Sequence, residues 1–130
     1  MEIRKAKIMD VPGIFQLILE ATRRGKILKR SKADIRNAVH HFWVAEENGK
    51  LIACCAIETY NKKLAEIRSL VVRPSQEKRG LASKLIEHCL LEAKEKKIYE
   101  VLVITNRENI FRRLGFSEQL HGQKALFLRP

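Results

Sequence analysis

The segment from Val72 to Ala82 has the residue types of a phosphate-binding loop. It joins a β-rich run to an amphipathic stretch and reads Val-Arg-Pro-Ser-Gln-Glu-Lys-Arg-Gly-Leu-Ala. A helix that begins there presents free backbone N–H groups and the positive end of its dipole, both of which bind phosphate oxygens. Gly80 lets the backbone approach a ligand closely, and Ala82 keeps the first turn slim. The alternative is an ordinary loop with solvated charges.

Other residue types with chemical potential are scattered. The cysteines, Cys54, Cys55 and Cys89, form neither an even set nor a CxxC pair, and the four histidines form no ligand cluster. The sequence therefore predicts reduced core thiols and no metal site. Glu66 and Arg68 lie two residues apart in a β-rich run, so their side chains are expected on one face of a strand.

The first half of the chain predicts one edge strand and two helices. Residues 2–8 alternate weakly between apolar and charged types. Asp10 is expected to cap a first helix, which Gly25 stops. Ser31 with Asp34 three residues later resembles a capping box at the start of a second, short helix.

The second half predicts a meander followed by a crossover. Asn48-Gly49 is a strong hairpin signal between β-rich runs at 42–46 and 51–60, and a third run covers 64–72. The later periodicity predicts a helix from 81 to about 97, a strand at 101–104, a short helix at 109–114 and a final strand at 125–128. This order predicts an α/β fold with one mixed sheet, in a single domain of residues 1–130.

Composition and charge limit the classes of function. The 130 residues are 45% hydrophobic, and no apolar run approaches the roughly 18 residues of a membrane span. The start of the chain lacks a signal peptide, so we expect a cytoplasmic protein with no membrane partner. The net charge of +11 favours an anionic partner, such as nucleic acid or a polyphosphate cofactor. No groove-reading helix or aromatic platform is evident, so nucleic acid is not the expected partner.

The loop and its surroundings resemble the GCN5-related N-acetyltransferase (GNAT) superfamily. The acetyl-CoA loop of that superfamily has Gln or Arg, two residues, Gly, one residue, then Gly or Ala; here Gly80 and Ala82 match, and Glu77 departs from the pattern. The resemblance implies acetyl-CoA as co-substrate and a β-strand that splays from its parallel neighbour. The implied cofactor-binding residues are Leu70, Val71, Val72, Gln76, Glu77, Lys78, Arg79, Gly80, Leu81, Ala82 and Phe111.

Several separated motifs look more closely like the acetyltransferase domain of N-acetylglutamate synthases. They lie at residues 25–31, 42–49, 64–70, 105 and 110–116. The resemblance implies that a small amine, most of all L-glutamate, accepts the acetyl group, with arginine biosynthesis as the setting. No kinase-like segment precedes the motifs, so we expect the one-domain form. Two carboxylates call for cationic ligands, and Arg30 is the first candidate, followed by Lys29 and Arg68.

The resemblance also implies a general base. Glu66 matches the position of the catalytic glutamate in histone acetyltransferases of the superfamily. Its ordinary pKa of roughly 4.3 lies far below that of an amine, so we expect it to act through water. Many members donate a proton to the leaving thiolate from a tyrosine at the position of Phe111, which cannot donate. The alternative for Glu66 is a surface pair with Arg68 or Lys63.

Three other functions remain open at this point. The acceptor could be another amino acid, a polyamine or a protein lysine. The protein could be a sensor that binds acetyl-CoA without turnover, as the departures at Glu77 and Phe111 would allow. It could also bind nucleic acid through the basic cluster between Arg23 and Lys32. A homodimer is possible through an exposed edge strand near the C-terminus.

Overall fold

The computed structural model describes residues 1–25 and 27–130, and within them the strands form one mixed sheet of five, in the order β1-β2-β3-β4-β5. All neighbours are antiparallel except β4 and β5, which are parallel. The predicted α/β fold with a meander and a crossover is confirmed. The strands are β1 (Glu2–Lys5), β2 (Phe42–Glu47), β3 (Lys50–Thr59), β4 (Leu64–Val72) and β5 (Glu100–Val103).

Helices cover both faces of the sheet. They are α1 (Val11–Arg23), α2 (Lys32–Asn37), α3 (Leu81–Glu95) and α4 (Glu108–Arg113). Ile14 of α1 and Ile35 of α2 pack with Cys54 of β3 on one face. Leu85 of α3 and Phe111 of α4 pack with Cys55 of β3 on the other. Adjacent cysteines thus face opposite cores, as strand alternation predicts, and β3 lies between the two helical layers.

Local turn and cap signals agree with the structure at three places. Asn48 and Gly49 join β2 to β3 with φ of 53° and 76°, the left-handed conformations that a tight hairpin needs. The hydroxyl of Ser31 accepts a hydrogen bond of 3.0 Å from the backbone N–H of Asp34 at the start of α2. Gly25, with φ of 70°, follows the end of α1.

Two local predictions differ from the structure. Asp10 stands at the N-cap of α1, as predicted, but its side chain does not cap the helix, because its carboxylate accepts hydrogen bonds from Arg4 and from the backbone N–H of Lys7. The final strand at 125–128 does not form, and its Leu126, Phe127 and Leu128 are 74–88% exposed. A short apolar run becomes a strand only where a neighbour supplies backbone hydrogen bonds. The edge expected to support a homodimer is therefore lost, and the homodimer stays a prediction.

Candidate active site

The parallel pair β4–β5 separates before β4 ends. Its register runs from Leu64 opposite Glu100 to Ile67 opposite Val103, where β5 stops. β4 continues for five residues, to Val72, with no parallel neighbour in the described chain. The backbone groups on that side of β4 are therefore not used by β5, as expected for a splayed strand pair.

A β-bulge lies in this separated part of β4. Cys54 pairs with Val71 and Ala56 pairs with Arg68, so Ser69 and Leu70 together face Cys55. Ser69 has a φ of 56°, which is uncommon for a residue with a side chain. Bulges bend a strand and change the direction of its side chains. This bulge separates the Glu66–Arg68 part of β4 from the part that leads into the loop.

A cavity of about 300 Å³ opens beyond the end of β4. Its lining combines the end of the strand, the loop, the first turn of α3 and one face of α4: Val72, Gln76, Glu77, Lys78, Gly80, Leu81, Ala82, Ser83, Arg107, Ile110 and Arg113. Gly80 has a φ of 75° and stands at the N-cap of α3, so glycine is the residue type suited to this turn. The unpaired N–H groups of the first helical turn make the cavity suitable for an anion.

Four of the predicted cofactor-binding residues lie outside the cavity lining. Val71 is buried on the α1 side of the sheet, and Leu70 packs against the α3 side. Phe111 is buried and meets Phe116 edge-on, with ring centroids 5.3 Å apart. Arg79 pairs with both carboxylate oxygens of Glu47, at 3.0 and 3.1 Å, which lowers the pKa of Glu47.

Phe111 of α4 was assigned to the cofactor site from the sequence, but the residues of this region that line the cavity were missed. These are Arg107, Ile110 and Arg113, and Ser83 of α3 was missed as well. Ile110 and Arg113 are spaced by three on α4, and Arg107 stands directly before the helix at its N-cap, so all three border the cavity from one side. That spacing was readable in the sequence, but only the packing of α4 beside the loop shows which face looks into the cavity.

Arg30 lies on the opposite side of β4 and is buried within the protein. Its side chain is 4% exposed, and it donates to Asp34 Oδ2 at 2.7 Å, Ser69 Oγ at 3.0 Å and Glu58 Oε1 at 3.0 Å. The guanidinium also lies 5.5 Å from the ring centre of Phe42. Its hydrogen bond to Asp34 lowers the pKa of that carboxyl. Arg30 thus ties α2 to the bulge and to β3, so it is not simply a solvated cation.

Glu58 is shared between two arginines. Its second oxygen, Oε2, accepts a hydrogen bond of 2.9 Å from Arg68. The Arg68 side chain is 38% exposed, in contrast to that of Arg30, so it lies at the rim of this charged group. Lys29 is exposed on the segment before α2. The structure therefore brings Arg30 and Arg68 together through Glu58 and leaves Lys29 at the surface.

Glu66 stands opposite Glu58 in the β3–β4 register and accepts a hydrogen bond from the hydroxyl of Tyr60. That bond raises the pKa of Tyr60 to about 12, because the nearby carboxylate favours the protonated phenol. Within the described ranges Glu66 makes no ion pair with Arg68 or Lys63, so the alternative of a surface pair with either residue is not formed. Its carboxylate faces a phenol and has no cationic partner among the described residues.

The described residues contain no cluster of metal-ligating side chains and no exposed thiol. Among residues 1–25 and 27–130, no three His, Cys, Asp or Glu side chains gather as a metal site. All three cysteines are buried, and burial raises the pKa of the Cys54 thiol to about 12. No described helix is long and apolar enough to cross a membrane.

Known proteins share this architecture. Residues 38–118 match the family described as an acetyltransferase (GNAT) domain. An amino-acid acetyltransferase from Mycobacterium tuberculosis is 34% identical over 120 residues, which are 89% of this chain and 68% of that protein. A Mycobacterium tuberculosis protein solved in complex with CoA has a TM-score of 0.86 at 30% identity, over 92% of this chain and 74% of that chain.

A second solved structure is the N-acetylglutamate synthase from Neisseria gonorrhoeae, complexed with coenzyme A and N-acetyl-glutamate. Its TM-score is 0.79 at 26% identity, over 87% of this chain and 27% of that chain. The fold, the splayed strand pair and these matches define the class. This chain belongs to the GNAT acetyltransferase family. It is an acetyl-CoA-dependent acyltransferase, as the loop and its surroundings led us to expect.

Proposed function

We propose that residues 1–130 form a single N-acetyltransferase domain that acetylates the amino group of a small amino acid, with L-glutamate as first candidate. Arginine biosynthesis is the setting that this acceptor implies. The observation that carries the proposal is the placement of Glu66 and Arg68 on one face of β4, just before the bulge. A carboxylate and a half-exposed guanidinium there can meet the amine and the acid of one small acceptor.

CoA fits the cavity beyond β4. The diphosphate is held by the backbone N–H groups that follow Gly80, with Gln76 and Lys78 beside them. The pantetheine chain lies along residues 70–72, where β4 has lost β5 as a neighbour. Val71 and Leu70 contribute backbone groups in this arrangement, which is consistent with their side chains being turned into the two cores. Arg79 and Phe111 support the cavity from outside its lining.

The acceptor site uses the charged group around Glu58. A guanidinium has five N–H groups, and three protein acceptors engage that of Arg30, whose side chain is only 4% exposed. In this proposal its two remaining N–H groups form the buried end of the acceptor site. Arg68 at the rim and Lys29 at the surface supply the second cationic contact. Arg68 and Lys29 favour a carboxylate, whereas the carboxylate of Glu66 favours the amine, so an acceptor that carries both groups, such as an amino acid, fits the arrangement better than a polyamine.

The reaction transfers the acetyl group of the thioester directly to the amine. Glu66 receives the amine proton through a water molecule, so that the nitrogen is neutral when its lone pair attacks the carbonyl carbon. Backbone N–H groups near Leu70 and Val71 stabilise the oxyanion. Phe111 is buried and has no proton to give, so CoA leaves as a thiolate, whose pKa of roughly 8.5 makes this tolerable.

The direct test measures CoA release from acetyl-CoA with each of the twenty amino acids. We expect glutamate to give the highest kcat/KM. A better rate with another amino acid would reject the glutamate assignment. A thermal shift with acetyl-CoA but no CoA release with any acceptor would favour the sensor.

A matched pair of variants then tests the acceptor site. Arg68→Gln removes a rim cation beside Glu66, and we expect the glutamate KM to rise about tenfold, the scale of one charge-assisted hydrogen bond. Arg36→Gln removes an exposed cation of α2 that makes no ion pair in the described structure, and we expect it to leave KM unchanged. Equal KM values for the two variants would contradict the role of Arg68.

A further inference from the structure

The wall of the cavity that α4 forms carries two arginines with no protein partner. Arg107 and Arg113 line the cavity on either side of Ile110. In the part of the chain that the structure describes, neither side chain makes a hydrogen bond or an ion pair. Arg112, next to Arg113, donates instead to Glu108 at 2.6 Å and Glu118 at 2.9 Å and does not line the cavity. The helix therefore directs two free cations to the cavity and keeps a third paired outside it.

The wall that the loop forms carries no net side-chain charge. Its charged lining residues are Glu77 and Lys78, whose formal charges cancel. The neighbouring Arg79 is held by Glu47 and is not part of the lining. A carboxylate in a phosphate-binding loop repels its ligand, whereas guanidinium groups bind phosphate oxygens in a two-point geometry. The side-chain charge of this cavity thus comes mainly from α4.

We propose that Arg107 and Arg113 bind phosphate groups of CoA and supply the positive charge that Glu77 removes from the loop. The inference rests on the proposed placement of CoA in this cavity. The shared chemistry is a phosphate group, which CoA offers both in its diphosphate and in its ribose 3′-phosphate. The two sources differ in a testable way, because dephospho-CoA retains the first and lacks the second.

The experiment measures the dissociation constants of CoA and dephospho-CoA by calorimetry for the wild type and three variants. We expect Arg107→Gln and Arg113→Gln each to weaken CoA binding about tenfold. Arg112→Gln, the matched control on the same helix, is expected to bind CoA as the wild type does. Thermal melts check that all three variants fold, which their exposed positions favour.

Each outcome bears on a different claim. The same loss with dephospho-CoA assigns the arginines to the diphosphate, and a loss seen only with CoA assigns them to the 3′-phosphate; both support the inference. CoA affinity equal to that of Arg112→Gln in both variants overturns it. A wild-type protein that does not bind CoA would instead sink the proposed function.

A separate experiment tests whether Glu77 opposes the phosphates, so that Arg107 and Arg113 have to offset its charge. Glu77→Gln removes the acidic charge from the cavity while keeping the size of the side chain, so CoA should bind several-fold tighter, with the gain reduced by salt. Affinity that is unchanged or lower would show that Glu77 does not oppose the phosphates. That result would overturn the claim that α4 offsets it.

Discussion

The charged groups on the two sides of β4 are partnered in opposite ways. On the acceptor side, Arg30, Glu58 and Arg68 are joined by hydrogen bonds of 2.9 to 3.0 Å. In the cavity, Arg107 and Arg113 have no partner within the described ranges. The first arrangement is assembled by folding and needs no ligand to balance it. The second is left for an anion to complete, so in our proposal the acceptor site is stabilised by the protein itself and the cofactor site is completed by CoA.

The largest expected effect is the loss of stability when Arg30 is removed from the proposed acceptor side. Arg30→Ala removes the buried donor that Asp34, Ser69 and Glu58 share, and we expect it to cost roughly 1.5–3 kcal/mol of unfolding free energy, the scale of hydrogen bonds to a charged group. Arg68→Ala removes a half-exposed partner of the same Glu58 and should cost less than about 1 kcal/mol. Urea unfolding measures both. Equal losses would mean that burial does not distinguish the two arginines.

The next effect concerns chemistry on the same face. Glu66→Gln keeps the acceptance of a hydrogen bond from Tyr60 but cannot take a proton, so kcat should fall about 100-fold while CoA affinity is unchanged. Steady-state kinetics and a CoA titration give the two values. Glu87→Gln, on the exposed side of α3, serves as the control. A kcat for Glu66→Gln that matches this control would exclude Glu66 as the base.

A smaller effect tests the cavity. Gly80→Val and Gly49→Val place a side chain at nearly equal φ, 75° and 76°, so both carry a comparable backbone strain of about 1–2 kcal/mol. Only Gly80 lies in the cavity, and its variant should weaken CoA about tenfold more than the hairpin variant does. Calorimetry measures the affinities. CoA binding that falls equally in both would place the diphosphate elsewhere.

These comparisons also show what the sequence could and could not predict. The Ser31 cap and the Asn48-Gly49 hairpin depend on neighbouring residues, and both were readable locally. The burial of Arg30 depends on Glu58 and Ser69, which are 28 and 39 residues away. No local pattern carries that information. The run at 125–128 has strand-forming residues, but a strand also needs a neighbour, which the sequence alone does not supply.

The candidate site also contains residues that the sequence predicted and residues that it could not predict. The loop residues from Gln76 to Ala82 were found because the signal is contiguous, and all but Arg79 line the cavity. Arg79 is diverted by Glu47, which comes from the distant β2–β3 hairpin. Arg107 and Arg113 were missed because only the packing of α4 beside the loop brings them to the cavity, and that packing cannot be read from the sequence.

The smallest effect sharpens the assignment of Glu66. The chain has two tyrosines, so a Tyr99→Phe background isolates Tyr60, whose pKa of about 12 is raised by the carboxylate of Glu66. Glu66→Gln in that background should return the pKa toward its ordinary value of roughly 10. The ultraviolet absorbance of tyrosinate in an alkaline titration reports it. A Tyr60 pKa that stays near 12 in this variant would show that the carboxylate of Glu66 does not raise it.

The central claim is that CoA lies between the loop and α4. Its most direct test is an NMR titration of isotope-labelled protein with CoA, in which backbone amide signals report the contacted residues. We predict the largest shifts at Gly80, Leu81 and Ala82, accompanied by Arg107 and Arg113. Shifts concentrated instead at Met9, Gly13 and Lys50, which line a second cavity of about 430 Å³ between α1 and the β2–β3 hairpin, would contradict the account.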